Sequence, residues 1–141
     1  MKVSAVILAK NEEKNIKRAI QSVDFCDEIV VIDDNSTDKT SQIARRLGAT
    51  VIQKSINGDF AGQRNFAMKQ AVNEWILFLD ADEEISHDLQ RSCLSTLRVR
   101  SVIGAYYIRR RDFFLGKELR FGETQKVRNK GIIRLVKKNS G

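Results

Sequence analysis

Short apolar runs alternate with helical patterns along the first 97 residues of this 141-residue chain. Continuous apolar runs are typical of strands that are buried on both faces. We place four such strands at Val3–Ala9, Glu28–Asp33, 49–53 and 75–79. Apolar residues at helical spacing predict helices over 12–23, around Ile43–Leu47, over 61–72 and after Ser86. This alternation predicts an α/β fold with a mostly parallel sheet and helices on both faces.

Local signals indicate where the helices begin. Glu12 and Glu13 are expected in the first turn of the first helix, where the helix dipole favours acidic residues. Asn35 or Ser36 is the expected N-cap of the second helix, and Ser86 is the expected N-cap of the fourth.

The pattern changes after Arg98, where short, loop-rich segments replace the alternation. We predict strands at Ala105–Ile108, at 113–117 leading into a turn, and at 132–136. Together they predict a short antiparallel extension of the sheet. The chain length suggests a single domain.

Composition bounds the class of protein. Hydrophobic residues make up 42% and charged residues 30% of the chain, as in soluble globular proteins. No apolar run approaches the roughly 18 residues of a membrane span, and no signal-peptide cleavage site follows the N-terminal run. Cys26 and Cys93 lack metal-type spacing, so we expect reduced, half-buried thiols of a cytoplasmic protein.

The net charge of +7 is unevenly distributed. Residues 1–97 contain 12 basic and 15 acidic residues, whereas residues 98–141 contain 13 and 3. The positive excess therefore lies in the C-terminal segment, which includes Arg109, Arg110, Arg111, Lys137 and Lys138. Such a charge favours phosphate groups, anionic lipid or nucleic acid as partners. A solvated basic surface is the simpler alternative.

Four acids follow the fourth strand within five residues: Asp80, Asp82, Glu83 and Glu84. Open α/β sheets bind their ligands at the carboxyl ends of the strands, where these acids should lie. Asp80 and Asp82 would point to the same side of an extended backbone, and a cation between them would relieve their repulsion. Oxygen ligands suit Mg²⁺ or Mn²⁺. The alternative is an acidic loop that caps the next helix.

Polar residues also lie at the other strand ends and before the third helix. They are Lys10, Asn11 and Glu12, then Asp33 and Asp34, then Gln63, Arg64 and Asn65. Taken singly, each has a simpler explanation as a first-turn acid, a loop acid or a solvated charge. Together they suit a ligand with both hydroxyls and phosphates, because carboxylates bind hydroxyls and base N–H groups and arginine binds phosphate. A nucleoside diphosphate that carries a leaving group, neutralised by a metal, fits this set.

The ordered segments SAVILAKNEE, VVIDDNSTDKT, GQRNFA and WILFLDADEE resemble family 2 glycosyltransferases of the GT-A fold over residues 1–84. The later segments RRRDFFLGKELRFG and IIRLVKKNSG are similar to the lipopolysaccharide-core and β-1,4-glucosyltransferase-like branch. The resemblance implies a GT-A (Rossmann-like) sheet. It also implies that residues 1–97 form a nucleotide-sugar-binding half and that residues 98–141 begin an acceptor-side segment of the same domain.

The resemblance further implies a nucleotide site and a metal site. Asp34 matches the position that contacts the base, and Arg64 matches a residue near the nucleotide. Asp80 matches a position near the ribose and the metal, and Asp82 matches the ligand of a divalent metal, Mg²⁺ or Mn²⁺. Many members carry a stacking aromatic residue where this chain has Lys10, so base stacking is not expected there. The expected substrate-binding residues are Ala9, Asn11, Glu12, Asp33, Asp34, Arg64, Asp80 and Ala81, with Asp82 and Asp80 as metal ligands.

Inverting members need a general base that deprotonates the acceptor hydroxyl. The resemblance places this base beyond Gly141, so we expect the chain to be C-terminally truncated and its catalytic base to lie outside it. His87, the only histidine, is expected on a helix surface. Glu83 or Glu84 is an alternative base, although a supporting role beside the site or at the helix N-terminus is the simpler prediction.

The expected function is transfer of a sugar, with inversion, from a nucleoside-diphosphate sugar, UDP-linked in the first instance. The expected acceptor is a saccharide or a lipid-linked envelope precursor. We expect a cytoplasmic protein, with peripheral contact at the inner face of an anionic membrane. Nucleic acid is not an expected partner, because the aromatic residues of the basic segment form no stacking motif. The alternatives are a nucleotide-binding fragment without turnover and, from another class, a basic nucleic-acid-binding α/β domain.

Overall fold

A computed structural model of the chain describes residues 1–99, 103–114, 117–118 and 132–138. Six strands form one sheet in the order β3-β2-β1-β4-β8-β5, and two short strands, β6 and β7, pair separately. The strands are β1 (Val3–Ala9), β2 (Glu28–Asp33), β3 (Thr50–Gln53), β4 (Trp75–Asp80), β5 (Ala105–Ile108), β6 (Phe113–Phe114), β7 (Lys117–Glu118) and β8 (Ile132–Lys137). The helices are α1 (Ile16–Ser22), α2 (Thr40–Arg46), α3 (Phe60–Gln70) and α4 (His87–Arg98).

The first four strands are parallel, as their uninterrupted apolar runs predicted. One apolar cluster covers one face of the sheet and includes Ile16 of α1, Ala44 of α2 and Leu97 of α4. A second cluster on the other face includes Ala67 of α3 packed with Phe78 of β4. Helices therefore cover both faces, and the predicted α/β architecture is confirmed.

The C-terminal strands extend this sheet in antiparallel orientation. β8 pairs with β4, with Leu77 opposite Leu135, and β5 pairs with β8. The predicted antiparallel extension is confirmed. The segment predicted as one strand over 113–117 instead forms the short strands β6 and β7, while residues 115–116 lie outside the described part.

Two predicted helix starts are wrong. Helix α1 begins at Ile16, because the Glu12 carbonyl accepts hydrogen bonds from the Asn15 and Ile16 N–H groups and forms a turn before the helix. Helix α2 begins at Thr40, where the Asp38 carboxylate accepts from the Thr40 N–H.

Neither Asn35 nor Ser36 caps α2, since its N-cap residue is Lys39 and the Ser36 side chain binds Asp33 instead. The predicted cap of α4 is confirmed, because the Ser86 hydroxyl accepts from the Leu89 N–H at 3.3 Å. Hydrogen bonds within the loops that precede α1 and α2 therefore decide where these helices begin.

Two asparagines turn the chain sharply after the central strands. Asn11 and Asn35 both have φ of 51°, in the left-handed region that asparagine tolerates better than most residues. These turns change the direction of the backbone just beyond β1 and β2. The polar residues on both sides of each turn are thereby held at the carboxyl edge of the sheet.

Candidate functional site

An open cleft of about 890 Å³ lies at the carboxyl ends of β1 and β4, beside Asp34 after β2; we call it the strand-end cleft. It brings together five of the residues that the sequence predicted to bind substrate: Ala9, Glu12, Asp34, Arg64 and Asp80. The other lining residues are Leu8, Lys10, Ser55, Ile56, Asn57, Gly58, Phe60 and Gln63. The cleft thus combines three acids and a lysine that follow the strands with an arginine from α3.

Asp34 is a buried anion at this cleft. Its carboxylate accepts a hydrogen bond from the Ile56 N–H at 3.0 Å and pairs with the Lys10 ammonium at 3.1 Å. The Ile56 hydrogen bond, with the charge of Lys10, lowers the pKa of Asp34 below its usual value despite burial. Asp34 therefore stays ionised at neutral pH. The Lys10 ammonium thus pairs with an acid of the same cleft.

Asp33 points away from the cleft, as expected for adjacent residues of a strand. It is fully buried, and its carboxylate accepts hydrogen bonds from Ser36, Ser41 and Gln53, the last at 2.8 Å. These contacts tie β3 and α2 to the end of β2. Asp33 thus holds the loop that carries Asp34.

Asn11 also links loops and does not line the cleft. Its side-chain oxygen accepts from the Thr37 N–H at 2.8 Å, and its own N–H donates to the Ser36 hydroxyl at 2.8 Å. A parallel link joins the Glu12 N–H to the Thr40 hydroxyl at 2.8 Å. The β1–α1 and β2–α2 loops are therefore cross-linked into one wall.

Helix α3 contributes Gln63 and Arg64. The Arg64 guanidinium lies over the Phe78 ring, 5.4 Å from its centre, which orients it beside the cleft. Gln63 is 2% exposed, and neither its amide nitrogen nor its amide oxygen has a hydrogen-bond partner. An orphaned buried amide is costly and is typical of a position that expects a water or a ligand. From the sequence, Gln63 was noted only among the polar residues near the third helix and was not predicted to bind substrate.

The acidic end of β4 divides two cavities. Asp80 lines the strand-end cleft, whereas Asp82 is exposed and lines a second cavity. Between them, Ala81 is buried and donates its N–H to the Leu8 carbonyl at 3.0 Å. The Glu83 N–H donates to the Asp80 carbonyl at 2.9 Å, so the chain turns directly after β4. The extended geometry that we assumed for Asp80 and Asp82 is therefore wrong, because the two acids lie on a turn.

Arg134 on β8 is the partner of this acidic turn that the sequence analysis missed. It is 6% exposed and donates to Asp80 and to Glu83, at 3.0 Å in each case. Glu83 also accepts from the Asp80 N–H at 3.0 Å. Burial raises the pKa of Glu83 above its usual value, although this hydrogen bond and Arg134 oppose the shift. These contacts give Glu83 the supporting position that was predicted for it.

The second cavity, which we call the arginine cavity, has a volume of about 820 Å³. Its lining residues are Arg18, Phe78, Leu79, Asp82, Glu83, Glu84, Ile85, Ser86, Leu89, Ile108, Arg109, Arg110, Arg111, Asp112, Phe113 and Arg134. The C-terminal segment supplies Ile108 to Phe113 and Arg134, so this cavity joins the two parts of the chain. His87 does not line it and is an exposed first residue of α4, as predicted.

The donor atoms at the end of β4 suit a hard divalent cation. Asp80 and Asp82 offer carboxylate oxygens, the ligands that Mg²⁺ and Mn²⁺ prefer. Within the described ranges, no three or more His, Cys, Asp or Glu side chains form a metal-binding group. Two carboxylates alone would leave most coordination positions of such an ion to phosphate oxygens and water.

The chain belongs to glycosyl transferase family 2, whose family model matches residues 4–140. An uncharacterized glycosyltransferase of Rickettsia typhi is 51% identical over 90 residues, which cover 63% of this chain and 30% of that protein. The lipopolysaccharide core biosynthesis glycosyltransferase LpsC of Rhizobium meliloti is 29% identical over 152 residues, covering 99% of this chain and 52% of LpsC. The chain thus spans about a third to a half of these relatives' lengths.

Solved structures show the same fold. The structure of S. aureus TarS 1-349 in complex with UDP is 34% identical, with a TM-score of 0.58, over 69% of this chain and 32% of that one. Glucosyl-3-phosphoglycerate synthase from Mycobacterium tuberculosis, in complex with Mn²⁺, UDP and glucosyl-3-phosphoglycerate, is 26% identical, with a TM-score of 0.57, over 74% of this chain and 42% of that one. The predicted GT-A fold and family are confirmed.

Proposed function

We propose that this chain binds a nucleoside-diphosphate sugar, UDP-linked in the first instance, in the strand-end cleft and transfers its sugar with inversion. The observation that carries the proposal is the convergence of Asp34, Arg64 and Asp80 from three separate elements on one cleft. An ionised carboxylate, a guanidinium and a second carboxylate match the base, the phosphates and the ribose of such a donor. The TarS structure holds UDP, which supports this choice of nucleotide.

We infer a role for each residue from its position in the wall of the cleft. Asp34 accepts from a base N–H, and the loop that carries Ala9 and Glu12 flanks the base and ribose. Arg64, held over Phe78, faces the diphosphate. Asn11 and Asp33 hold the two loops in place rather than touching the donor, because their side chains are already bonded to loop residues.

Asp82 and Asp80 would hold the divalent metal, Mg²⁺ or Mn²⁺. When bound, such an ion acts as a Lewis acid and stabilises negative charge on a departing diphosphate. Mn²⁺ in the glucosyl-3-phosphoglycerate synthase structure supports a metal in this family. Arg134 positions Asp80 through its hydrogen bond, and Ala81 fixes the turn by bonding to β1.

Residues 1–97 form the donor half and residues 98–141 begin the acceptor side in this proposal. Among the residues that the structure describes, those lining the strand-end cleft lie between Leu8 and Asp80, whereas the arginine cavity has lining residues from both parts. The acceptor, a saccharide or a lipid-linked envelope precursor, would enter from the arginine cavity. Among the described residues, no helix is long and apolar enough to cross a membrane. We propose that the protein acts in the cytoplasm, with peripheral contact at an anionic membrane. We do not assign the general base to any of the residues named above.

Calorimetric titration with UDP and Mn²⁺ tests the donor site. Asp82→Ala should weaken binding at least tenfold, about 1.4 kcal/mol, because the metal loses a ligand. Asp88→Ala is the matched control, since Asp88 is an exposed acid on α4 whose removal changes the net charge equally. Equal affinity of the Asp82 variant and the unchanged chain would refute the metal assignment. A transfer assay on the same chain separates a transferase from a nucleotide-binding fragment without turnover.

A further inference from the structure

The arginine cavity contains more positive charge than its acids neutralise. Glu84 pairs with Arg18 at 3.3 Å, and Asp112 pairs with Arg110 at 2.8 Å. Glu83 is bound by Arg134, as described above. Each of these carboxylates therefore already has an arginine partner.

Two arginines, Arg109 and Arg111, and one acid, Asp82, remain among the charged lining residues. Arg109 and Arg111 are exposed, and neither makes an ion pair or hydrogen bond in the described part of the chain. They are two residues apart in the segment between β5 and β6, and both line the cavity. The cavity thus presents two adjacent guanidinium groups that have no internal partner.

A third arginine of the lining, Arg134, is buried. One terminal nitrogen of Arg134 donates to Asp80 and Glu83, but the other, Nη1, is buried and has no hydrogen-bond partner. A charged donor left unsatisfied in a buried position is costly unless an acceptor binds it. This orphaned N–H group is an independent indication that an anion or a polar ligand belongs in the cavity.

The rest of the lining suits a sugar ring. Phe113 is exposed at the rim, and Leu79, Ile85 and Ile108 supply apolar surface. Sugar rings present C–H groups on one face and hydroxyls at their edges, so they pack on aromatic surface while bonding to polar neighbours. Asp82 also lines the cavity, which places its ligand next to the proposed donor metal.

We propose that the arginine cavity binds a saccharide that carries a phosphate group, and that Arg109, Arg111 and Arg134 recognise the phosphate. A phosphate offers several oxygens to more than one guanidinium, and arginine binds it with paired hydrogen bonds. The proposal rests on the proposed transferase function, since the cavity adjoins Asp82. It narrows the acceptor from any saccharide to a phosphorylated one.

An NMR titration of the ¹⁵N-labelled 141-residue chain with glucose 6-phosphate tests the proposal. The sugar phosphate should shift resonances of the cavity residues, and the double variant Arg109→Gln/Arg111→Gln should weaken its binding at least tenfold. The double variant Arg45→Gln/Arg46→Gln is the control, because it removes the same charge from the exposed end of α2. This control should bind within twofold of the unchanged chain.

Three results would overturn the proposal. They are equal weakening in the α2 control, which would indicate diffuse charge attraction; binding of glucose as tight as that of glucose 6-phosphate; and binding of inorganic phosphate as tight as that of glucose 6-phosphate. UDP binding with Mn²⁺ should be unchanged in both double variants. Failure of the unchanged chain to bind UDP would refute the proposed function instead, so the two failures are distinguishable.

Discussion

Arg134 should stabilise the fold through the acidic turn after β4. In Arg134→Met the aliphatic stem is kept, but Asp80 and Glu83 lose a charged donor at 3.0 Å. Breaking a buried ion pair costs about 3–5 kcal/mol. The Asp80 side chain is 39% exposed and regains water, and the variant also removes the unsatisfied Nη1. We therefore expect a loss of about 2–3 kcal/mol in the free energy of unfolding.

An exposed ion pair in the same chain provides the control. Arg91 pairs with Asp88 on α4, where both side chains are at least 75% exposed. Arg91→Met should change the free energy of unfolding by about 0.5 kcal/mol or less, because exposed pairs contribute little. Urea unfolding followed by circular dichroism gives the free energy of unfolding of both variants. In thermal unfolding, the midpoint temperature of the Arg134 variant should be about 10 °C lower.

A double-mutant cycle with Glu83→Gln isolates the pair. The coupling energy between Arg134 and Glu83 should be about 1–2 kcal/mol. This coupling should grow with pH, because Glu83 forms an ion pair with Arg134 only when its carboxyl group is ionised. Burial raises the pKa of Glu83, so the folded protein holds that proton more tightly and the contribution of Glu83 to stability falls as pH rises through its folded pKa. Removing Arg134 raises this pKa further. If Arg134→Met cost no more than Arg91→Met at pH 7, the stabilising role of Arg134 would be wrong.

Two further predictions concern Gln63 and the cysteines. Gln63→Met should raise the free energy of unfolding by about 1 kcal/mol, because two buried unsatisfied polar atoms disappear, and should weaken UDP binding in calorimetry; a less stable variant with unchanged UDP affinity would contradict this. Burial raises the pKa of Cys26 to about 12 and of Cys93 to about 11, so both thiols should resist iodoacetamide at pH 8 and react only after unfolding, as mass spectrometry can show. Rapid alkylation of the folded chain would refute that prediction. Both cysteines are free, and Cys93 is buried.

The strands were predictable from sequence because each corresponds to a local pattern of apolar residues. Strand β4, for example, is apolar at every position before Asp80, since both of its faces are covered by helices. The antiparallel strands β5 and β8 were also predicted, although with less regular patterns. The presence of each strand, and the polar residues that follow it, could be predicted because both depend on residues that are neighbours along the chain.

Contacts between distant residues were not predictable in the same way. The Glu12 N–H, in the turn that precedes α1, donates to the Thr40 hydroxyl, 28 residues away. The partner of Asp80 is Arg134, which is 54 residues away. Asp33 and Asp34 are adjacent acids, and only the pleat of the strand decides that Asp33 is buried while Asp34 faces the cleft.

The position of β8 between β4 and β5 has a consequence for how the chain is assembled. β8 comes last in sequence among the described strands, yet it covers the edge of β4, which lies at the centre of the sheet. Until β8 is synthesised, the apolar β4 presents an unpaired edge of the kind on which other chains can add strands. Until then, the acids after β4 also lack Arg134 as a partner. A chain cut after residue 97 would expose this edge, so β8 protects the parallel part of the sheet from pairing with strands of other chains.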